Sequence, residues 1–367
     1  MFVLVTGATG SLGREIVRQL HARGDRVRIL CRDASSHARV GAIHEALPAR
    51  QAAPRVATPG LAHENGHNSA IPSNGFLPGV ELALGDVRDP AAVQAAVAGV
   101  DAVIHTAGLA SIWGPWKTFH AVNTVGTQNV IEAVRKNGVK KLVYTSSPSV
   151  VFNEIDQCNA DESAPYTTRW LCHYPHSKAL GEQAVLAANG QDGLHTCVLR
   201  PHLIWGPGDR QLIPRLLAQA RSGRLRKVGD GKNVMDIVFV ENAARAHIQA
   251  ADALSRGSPA CGKPYFISQG EPVNCWQWID EILRLADLPP VGRGISLANA
   301  QRLGRTWEAA YRLLGVRKEP PLTRFLALQL GRSHWFSIAA ARRDFGYEPA
   351  VSTAEGMERL KVWLDEV

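Results

Sequence analysis

The sequence predicts an α/β fold: a doubly wound parallel Rossmann sheet followed by a smaller, α-rich C-terminal substrate subdomain. Three observations predict it. Through the first 200 residues, short apolar runs alternate with segments of helical periodicity, the pattern of parallel strands joined by crossover helices. A glycine-rich turn, Thr6-Gly7-Ala8-Thr9-Gly10-Ser11-Leu12-Gly13, links the first strand to the first helix. After Pro201 the alternation gives way to segments that are mostly helical.

The expected strands are Phe2 to Thr6, Arg26 to Cys31, Val80 to Leu84, Ala102 to Thr106, Lys141 to Thr145 and Thr196 to Arg200. Between them, Leu12 to His21, Pro90 to Ala98, Phe119 to Lys136 and Tyr174 to Ala188 carry apolar residues at helical spacing without internal breaks. Residues 1–200 therefore read as the dinucleotide-binding core. Residues 35–79 interrupt it: the stretch is rich in Ala, Pro, Gly, His and Asn, lacks periodicity, and separates two strands that such folds join by a shorter connection. It reads as a disordered surface insertion. Residues 201–367 read mainly as the substrate subdomain, with helices at Leu212 to Ser222, Asn242 to Leu254 and Trp276 to Leu288 and a strand at Tyr265 to Ser268, some segments returning to the core. From Leu297 to Gly331, aromatics and leucines mix with arginines, which suits packing helices, the wall of an apolar tunnel, or peripheral contact with a membrane surface.

Composition narrows the class. With 367 residues, 45% hydrophobic and 20% charged, the chain is neither fibrous nor disordered. No run approaches the roughly 20 apolar residues of a membrane-spanning helix. The first apolar segment runs straight into the glycine turn, leaving no room for a secretory signal, and a soluble cytoplasmic protein is expected. Six scattered cysteines, without paired spacing or histidine partners, fit reduced thiols and no metal site. The net charge of +8 comes without a basic block interleaved with aromatics, so a solvated arginine-rich surface is expected and nucleic acid is not.

The glycine turn has the strand before it and helix after it that a pyrophosphate site requires: glycines permit the tight turn and close approach, and the helix amides donate to the phosphates. Gly7, Thr9, Gly10, Ser11, Leu12 and Gly13 are the expected contacts. At the end of the second strand, where a carboxylate would hold the ribose hydroxyls of NAD, stands Cys31, followed by Arg32. A guanidinium without that carboxylate favours a 2′-phosphate, hence NADP(H), with Asp33 as the alternative carboxylate. Asp86 and Val87 are placed to reach the adenine, Ala107 and Gly108 to let backbone approach the cofactor, and Pro201 to close the site. Tyr174 and Lys178 share a helix face at i, i+4 spacing, from which the ammonium is expected to lower the phenol's pKa and to grip the nicotinamide ribose. Ser146 and Ser147 end a strand at the carboxyl edge of the sheet, where either could hold a substrate oxygen.

These residues, together with Asn123 in Asn-Thr-Val-Gly-Thr, resemble the extended short-chain dehydrogenase/reductases, in the 3β-hydroxysteroid dehydrogenase-like branch; Tyr-Pro-His-Ser-Lys and Tyr-Thr-Ser-Ser point to that branch in particular. The resemblance implies Tyr174, Lys178, Ser147 and Asn123 as the catalytic set, Ser147 polarising the substrate oxygen and Asn123 supporting the site and a proton relay. It also implies a homodimer through two of the helices. Further strings, among them Leu203-Ile204-Trp205-Gly206-Pro207-Gly208-Asp209, His334-Trp335 and Arg342-Arg343-Asp344-Phe345-Gly346-Tyr347, resemble the 2-alkyl-3-oxoalkanoate reductases of bacterial long-chain olefin synthesis. For that group the resemblance implies NADPH-dependent reduction of a 2-alkyl-3-oxoalkanoic acid to the 3-hydroxy acid, in association with pathway enzymes. It does not extend across residues 35–79. The rival readings are a 3β-hydroxysteroid or sterol dehydrogenase, decarboxylating or not, a nucleotide-sugar epimerase or dehydratase, and a non-catalytic dinucleotide sensor. A sensor has no need of Ser147, Tyr174 and Lys178 together.

Overall fold

The computed structural model describes residues 1–32 and 79–366; the expected insertion, except its last residue Gly79, and the alternative carboxylate Asp33 lie outside the described residues. Seven parallel strands form the main sheet: β1 (Phe2–Thr6), β2 (Arg26–Cys31), β3 (Val80–Leu84), β4 (Ala102–His105), β5 (Lys141–Thr145), β7 (His195–Pro201) and β12 (Lys263–Ile267). Their order across the sheet is β12-β7-β5-β4-β1-β2-β3. The central strands β1 and β4 are buried at every position, because helices cover both faces, and their sequences read as continuous apolar runs rather than alternating ones. The chain leaves β1 for β2 on one side and later returns to β4 on the other. This reversal opens a crevice at the carboxyl ends of β1 and β4, where open α/β sheets bind ligands.

On one face, α1 (Ser11–Ala22) and α6 (Val240–Ala253) bury Leu12, Ile16, Val17, Leu20 and a small-residue stripe of Ala243, Ala244, Ala246, Ala250 and Ala251 against the sheet. On the other lie α2 (Pro90–Val97), α3 (Gly126–Lys136) and α4 (His173–Ala187). The expected helix from Phe119 starts earlier and is not uniform: an α-turn at Trp116–Phe119 passes into a π-helical stretch, His120–Val125, before α3 begins. Widened turns of this kind tend to mark functional positions, and this one carries Asn123. α4 approaches that stretch closely because position 181 is glycine; a Cβ there would lie 2.6 Å from both the Asn123 carbonyl and the Tyr144 hydroxyl.

The boundary expected at residue 200 is crossed in both directions. α6, β12 and α10 (Ala339–Phe345) return to the core layer, whereas β6 (Gln157–Ala160) leaves it. The C-terminal part also holds more strand than its composition suggested: β13 (Val273–Asn274), β10 (Val234–Met235), β15 (His334–Phe336) and β6 form a second, four-stranded sheet in that order. Two further short pairs are β8 (Ile204–Trp205) with β11 (Val238–Phe239) and β9 (Lys227–Val228) with β14 (Gly294–Ile295). Strands of two to four residues carry no readable periodicity, and their pairing is set by tertiary contacts. Beside this sheet, α5 (Leu212–Arg221), α7 (Cys275–Leu285) and α11 (Thr353–Glu366) enclose a core of Trp205, Phe239, Trp276 and Trp278. α8 (Leu297–Leu313) packs on α9 (Arg324–Gly331). No helix among the described residues is long and apolar enough to cross a membrane.

The close contact at Gly181 is testable. Gly181→Ala forces a methyl into the Asn123 carbonyl and should lower stability by about 1–3 kcal/mol in urea unfolding; an unchanged midpoint would show that the two helices are free to separate.

Candidate active site

At the crevice, Gly7 adopts φ +73°, and a Cβ there would lie 2.6 Å from the Ala107 nitrogen. At Gly13 a Cβ would come within 2.3 Å of the Gly7 carbonyl. Both glycines are therefore required for the turn to close onto α1. The helix is capped by Gly10 without a side-chain acceptor and has no acidic residue in its first turn. Its first amides are left to an external anion, so the residues fit a dinucleotide pyrophosphate. Behind the turn, Thr6 Oγ1 and His105 Nδ1 are 2.6 Å apart, and His105 Nε2 lies 3.1 Å from Thr127 Oγ1. Burial, with a further contribution from Lys178, holds this imidazole down to about 3, and it stays neutral.

One cavity of about 800 Å³ runs from here to the tyrosine and is lined by every residue expected at the cofactor: Gly7, Thr9, Gly10, Ser11, Leu12, Gly13, Arg32, Asp86, Val87, Ala107, Gly108, Tyr174, Lys178 and Pro201. Ser147 lines it too; Asn123 stands behind the wall. At the adenosine end Arg32 is exposed, and Asp86 is held by a residue the sequence reading passed over, Arg88, whose Nη2 lies 2.8 Å from Asp86 Oδ2. Hydrogen bonding from Arg88 keeps the Asp86 carboxyl below its usual range, so Asp86 reaches any adenine as an already engaged carboxylate.

At the other end, the two serines after β5 part company. Ser146 is buried and donates to Glu182 of α4; that carboxylate also accepts from Tyr166 at 2.9 Å and pairs with Arg200 of β7 at 2.5 Å. Ser147 faces the cavity. It accepts the Ser149 amide at 3.2 Å and lies 2.9 Å from the Ser149 hydroxyl. Tyr174 is half-buried beside Ser147: burial raises its phenol above the ordinary value, and the Ser147 hydroxyl opposes the rise. The expectation that Lys178 lowers this phenol is not met. The ammonium is turned away, donating to the Thr145 carbonyl at 2.5 Å and lying 4.1 Å over the Tyr144 ring, and burial lowers Lys178 itself to about 7. Asn123 latches the loop after β4: its Oδ1 accepts from Leu109 N–H at 2.7 Å, and its Nδ2 donates to the Leu109 carbonyl at 3.1 Å and to Ser177 Oγ at 2.9 Å.

Beyond Tyr174 the cavity is walled by Ile112, Phe152, Phe325 and Phe336. Of the Leu297 to Gly331 region, only α9 reaches it, through Phe325 and Gln329; Trp307 and Tyr311 of α8 stack away from it, Tyr311 edge-on to Trp113. His202 and His334 also line this part and had no role in the sequence reading. The pairing of His334 with His202, 132 positions away, has no sequence signal.

A Rossmann crevice that opens onto a tyrosine and lysine of one helix is the architecture of the short-chain dehydrogenase/reductases, and the protein is an NAD(P)-dependent oxidoreductase of that type. Its narrower kinship is a matter of sequence. Residues 67–294 match the 3-beta hydroxysteroid dehydrogenase/isomerase family, and the chain belongs to that family. It is 43% identical to a 2-alkyl-3-oxoalkanoate reductase of Stenotrophomonas maltophilia over 98% of both chains. It is 35% identical to the human sterol-4-alpha-carboxylate 3-dehydrogenase, decarboxylating, over 77% of each. Among solved structures, the dTDP-glucose 4,6-dehydratase DesIV of Streptomyces venezuelae, with NAD bound, superposes with a TM-score of 0.71 at 21% identity, covering 100% of this chain and 97% of the other; it shares the fold.

The low Lys178 value has a pH consequence. The unfolded lysine holds its proton up to the ordinary range near 10.5, whereas the folded one releases it near 7, so between these values the unfolded state binds more protons and folding becomes more favourable as pH rises. Urea unfolding of the cofactor-free protein should show stability rising from pH 7 towards 10 more steeply than in Lys178→Met; parallel profiles would place the lysine in water.

Proposed function

We propose that this protein reduces 2-alkyl-3-oxoalkanoic acids to 2-alkyl-3-hydroxyalkanoic acids with NADPH. The observation that carries the reading is the 43% identity to a reductase of that name from end to end, which includes the C-terminal segments that wall the cavity with Phe325 and Phe336. Such an apolar chamber suits two alkyl chains and suits a nucleotide sugar poorly. A sterol substrate is the second reading, favoured by the 35% identity to the sterol dehydrogenase.

A bound nicotinamide supplies the hydride. Tyr174 donates its proton to the oxygen that becomes the hydroxyl, a task for which a phenol kept protonated by burial is suited. In the reverse direction it takes that proton. Ser147 accepts the Ser149 amide and shares a hydrogen bond with the Ser149 hydroxyl in which either can donate; with Ser149 as the donor, the Ser147 proton is left for the same substrate oxygen. Lys178, at the sheet edge between Thr145 and Gly108, holds the ribose hydroxyls and orients the ring. Asn123 is a positioning residue that fixes the loop after β4. Arg32, with Arg88 nearby in the same wall, receives the 2′-phosphate and gives NADP(H) its preference. A cytoplasmic homodimer through the π-helical stretch, α3 and α4, with peripheral membrane contact at the basic and apolar α8, completes the proposal.

Oxidation of NADPH assayed with a 2-alkyl-3-oxo acid, a 3-ketosteroid and a UDP-sugar tests the substrate; the oxo acid should be the one turned over, and turnover of either other class in its place would refute the reading. Tyr174→Phe should still bind NADPH but lose roughly 10²-fold or more in kcat. Arg32→Asp should move the NADPH/NADH preference by roughly tenfold or more towards NADH, and an unmoved ratio would remove Arg32 from the site.

A further inference from the structure

A 2-alkyl-3-oxo acid carries its carboxylate on the carbon next to the reacting carbonyl. A catalytic site that holds this carbonyl at Ser147 and Tyr174 must therefore bury an anion close by, and a buried carboxylate needs a hydrogen-bonded counter-charge. The cations that line the cavity among the described residues are unevenly placed. Arg32 and Arg88 stand at the adenosine end, Lys178 is turned to Thr145, and Arg210 is exposed beside Arg14 on the pyrophosphate side. Among the described residues the inner chamber has no arginine or lysine. It has two histidines, His202 after β7 and His334 in β15, both nearly inaccessible at 6% and 2% exposure, with their rings joined Nε2 to Nδ1 at 2.6 Å.

The proton positions in this pair follow from its partners. His334 Nε2 lies 2.7 Å from the Gln329 carbonyl, which can only accept, so that nitrogen carries the proton. In the neutral ring Nδ1 is then an acceptor, and the short contact requires a proton on Nε2 of His202. Nδ1 of His202 is where the pair can gain one more proton and become a monocation. The backbone carbonyl of His334 beside the His202 ring supports that form.

The geometry points to the His202–His334 pair as the subsite that receives the substrate carboxylate, taking up a proton as the acid binds. This deepens the proposed β-oxo acid reading and rests on it. The surrounding groups leave the task to the pair. Burial, and for His202 the neighbouring imidazole, hold both rings below their ordinary values, so the empty pair is neutral. Of the neighbouring carboxylates, Asp156, before β6, accepts from the Ser333 amide at 2.9 Å, and Asp236, next to β10, accepts from the Phe336 amide at 2.7 Å through Oδ2 while burial raises its carboxyl to about 7, which weakens it as a counter-charge to the pair. From α9, Arg324 is paired with Glu308. An incoming anion is the charge that reverses the balance.

Two measurements test the subsite on His202→Gln and His334→Gln, each first shown to retain NADPH binding. In the oxidative direction with NADP⁺, a 2-alkyl-3-hydroxy acid should be preferred over its methyl ester by the wild type. Both variants should lose roughly tenfold or more of that preference through the KM for the acid. In calorimetry of the NADP⁺ complex with 2-butyloctanoic acid, in buffers of different ionisation enthalpy, the wild type should take up a proton on binding and His202→Gln should not. Equal losses on acid and ester, a preference kept in both variants, or binding without proton uptake would overturn the subsite. Turnover of the ester without preference for the acid overturns the subsite and leaves the reductase reading standing; proton-coupled binding of the acid that needs His202, with no turnover of either substrate, keeps the subsite and ends the reductase reading.

Discussion

The site depends on one buried ion pair. Glu182 and Arg200, with side chains 0% and 3% exposed, join α4 to β7 at 2.5 Å, and Ser146 and Tyr166 donate to the same carboxylate. Charges out of water add little net stability, but removing one partner strands the other at a cost of about 3–5 kcal/mol. What the cluster supplies is position. Glu182 lies one helical turn after Lys178 and two after Tyr174, so anchoring it sets the height and rotation of the helix face that carries both. Engaging Ser146 turns the next residue, Ser147, toward the cavity.

A second constraint is steric. Gly7, Gly13 and Gly181 stand where a Cβ would meet backbone or a buried hydroxyl within 2.3 to 2.6 Å. The first two bring α1 against the turn and present its amides to the pyrophosphate side; the third lets α4 approach the π-helical stretch that carries Asn123. Cofactor cradle and proton donor are thus held by the same close packing of helix on sheet. The cavity between them is a consequence of how near these elements come.

Electrostatics in the site are governed more by burial than by partners. His105, Lys178, His202 and His334 are all displaced towards their neutral forms, and the Tyr174 phenol is also held in its neutral form. The i, i+4 spacing of Tyr174 and Lys178 suggested a direct effect of the ammonium on the phenol. Spacing specifies a shared face; where the ammonium points is decided by the Thr145 carbonyl, which belongs to another element.

The sequence by itself determined the layered sheet, the glycine turn and the residues that line the cofactor side of the cavity. Those signals are local: apolar runs on a strand, helical periodicity, a turn that only glycine can make. It also singled out Tyr174, Lys178 and the pair Ser146 and Ser147, because a helix face and a strand end are local properties, and the family resemblance pointed to Ser147 of the two. Tertiary structure alone decided that the Ser146 hydroxyl is tied to Glu182, that Arg88 holds Asp86, that β6 leaves the first half of the chain to build a second sheet, and that His202 meets His334. Each of those rests on contacts between elements far apart in the chain or on strands too short for a period, where a residue's role is set by what folding places against it.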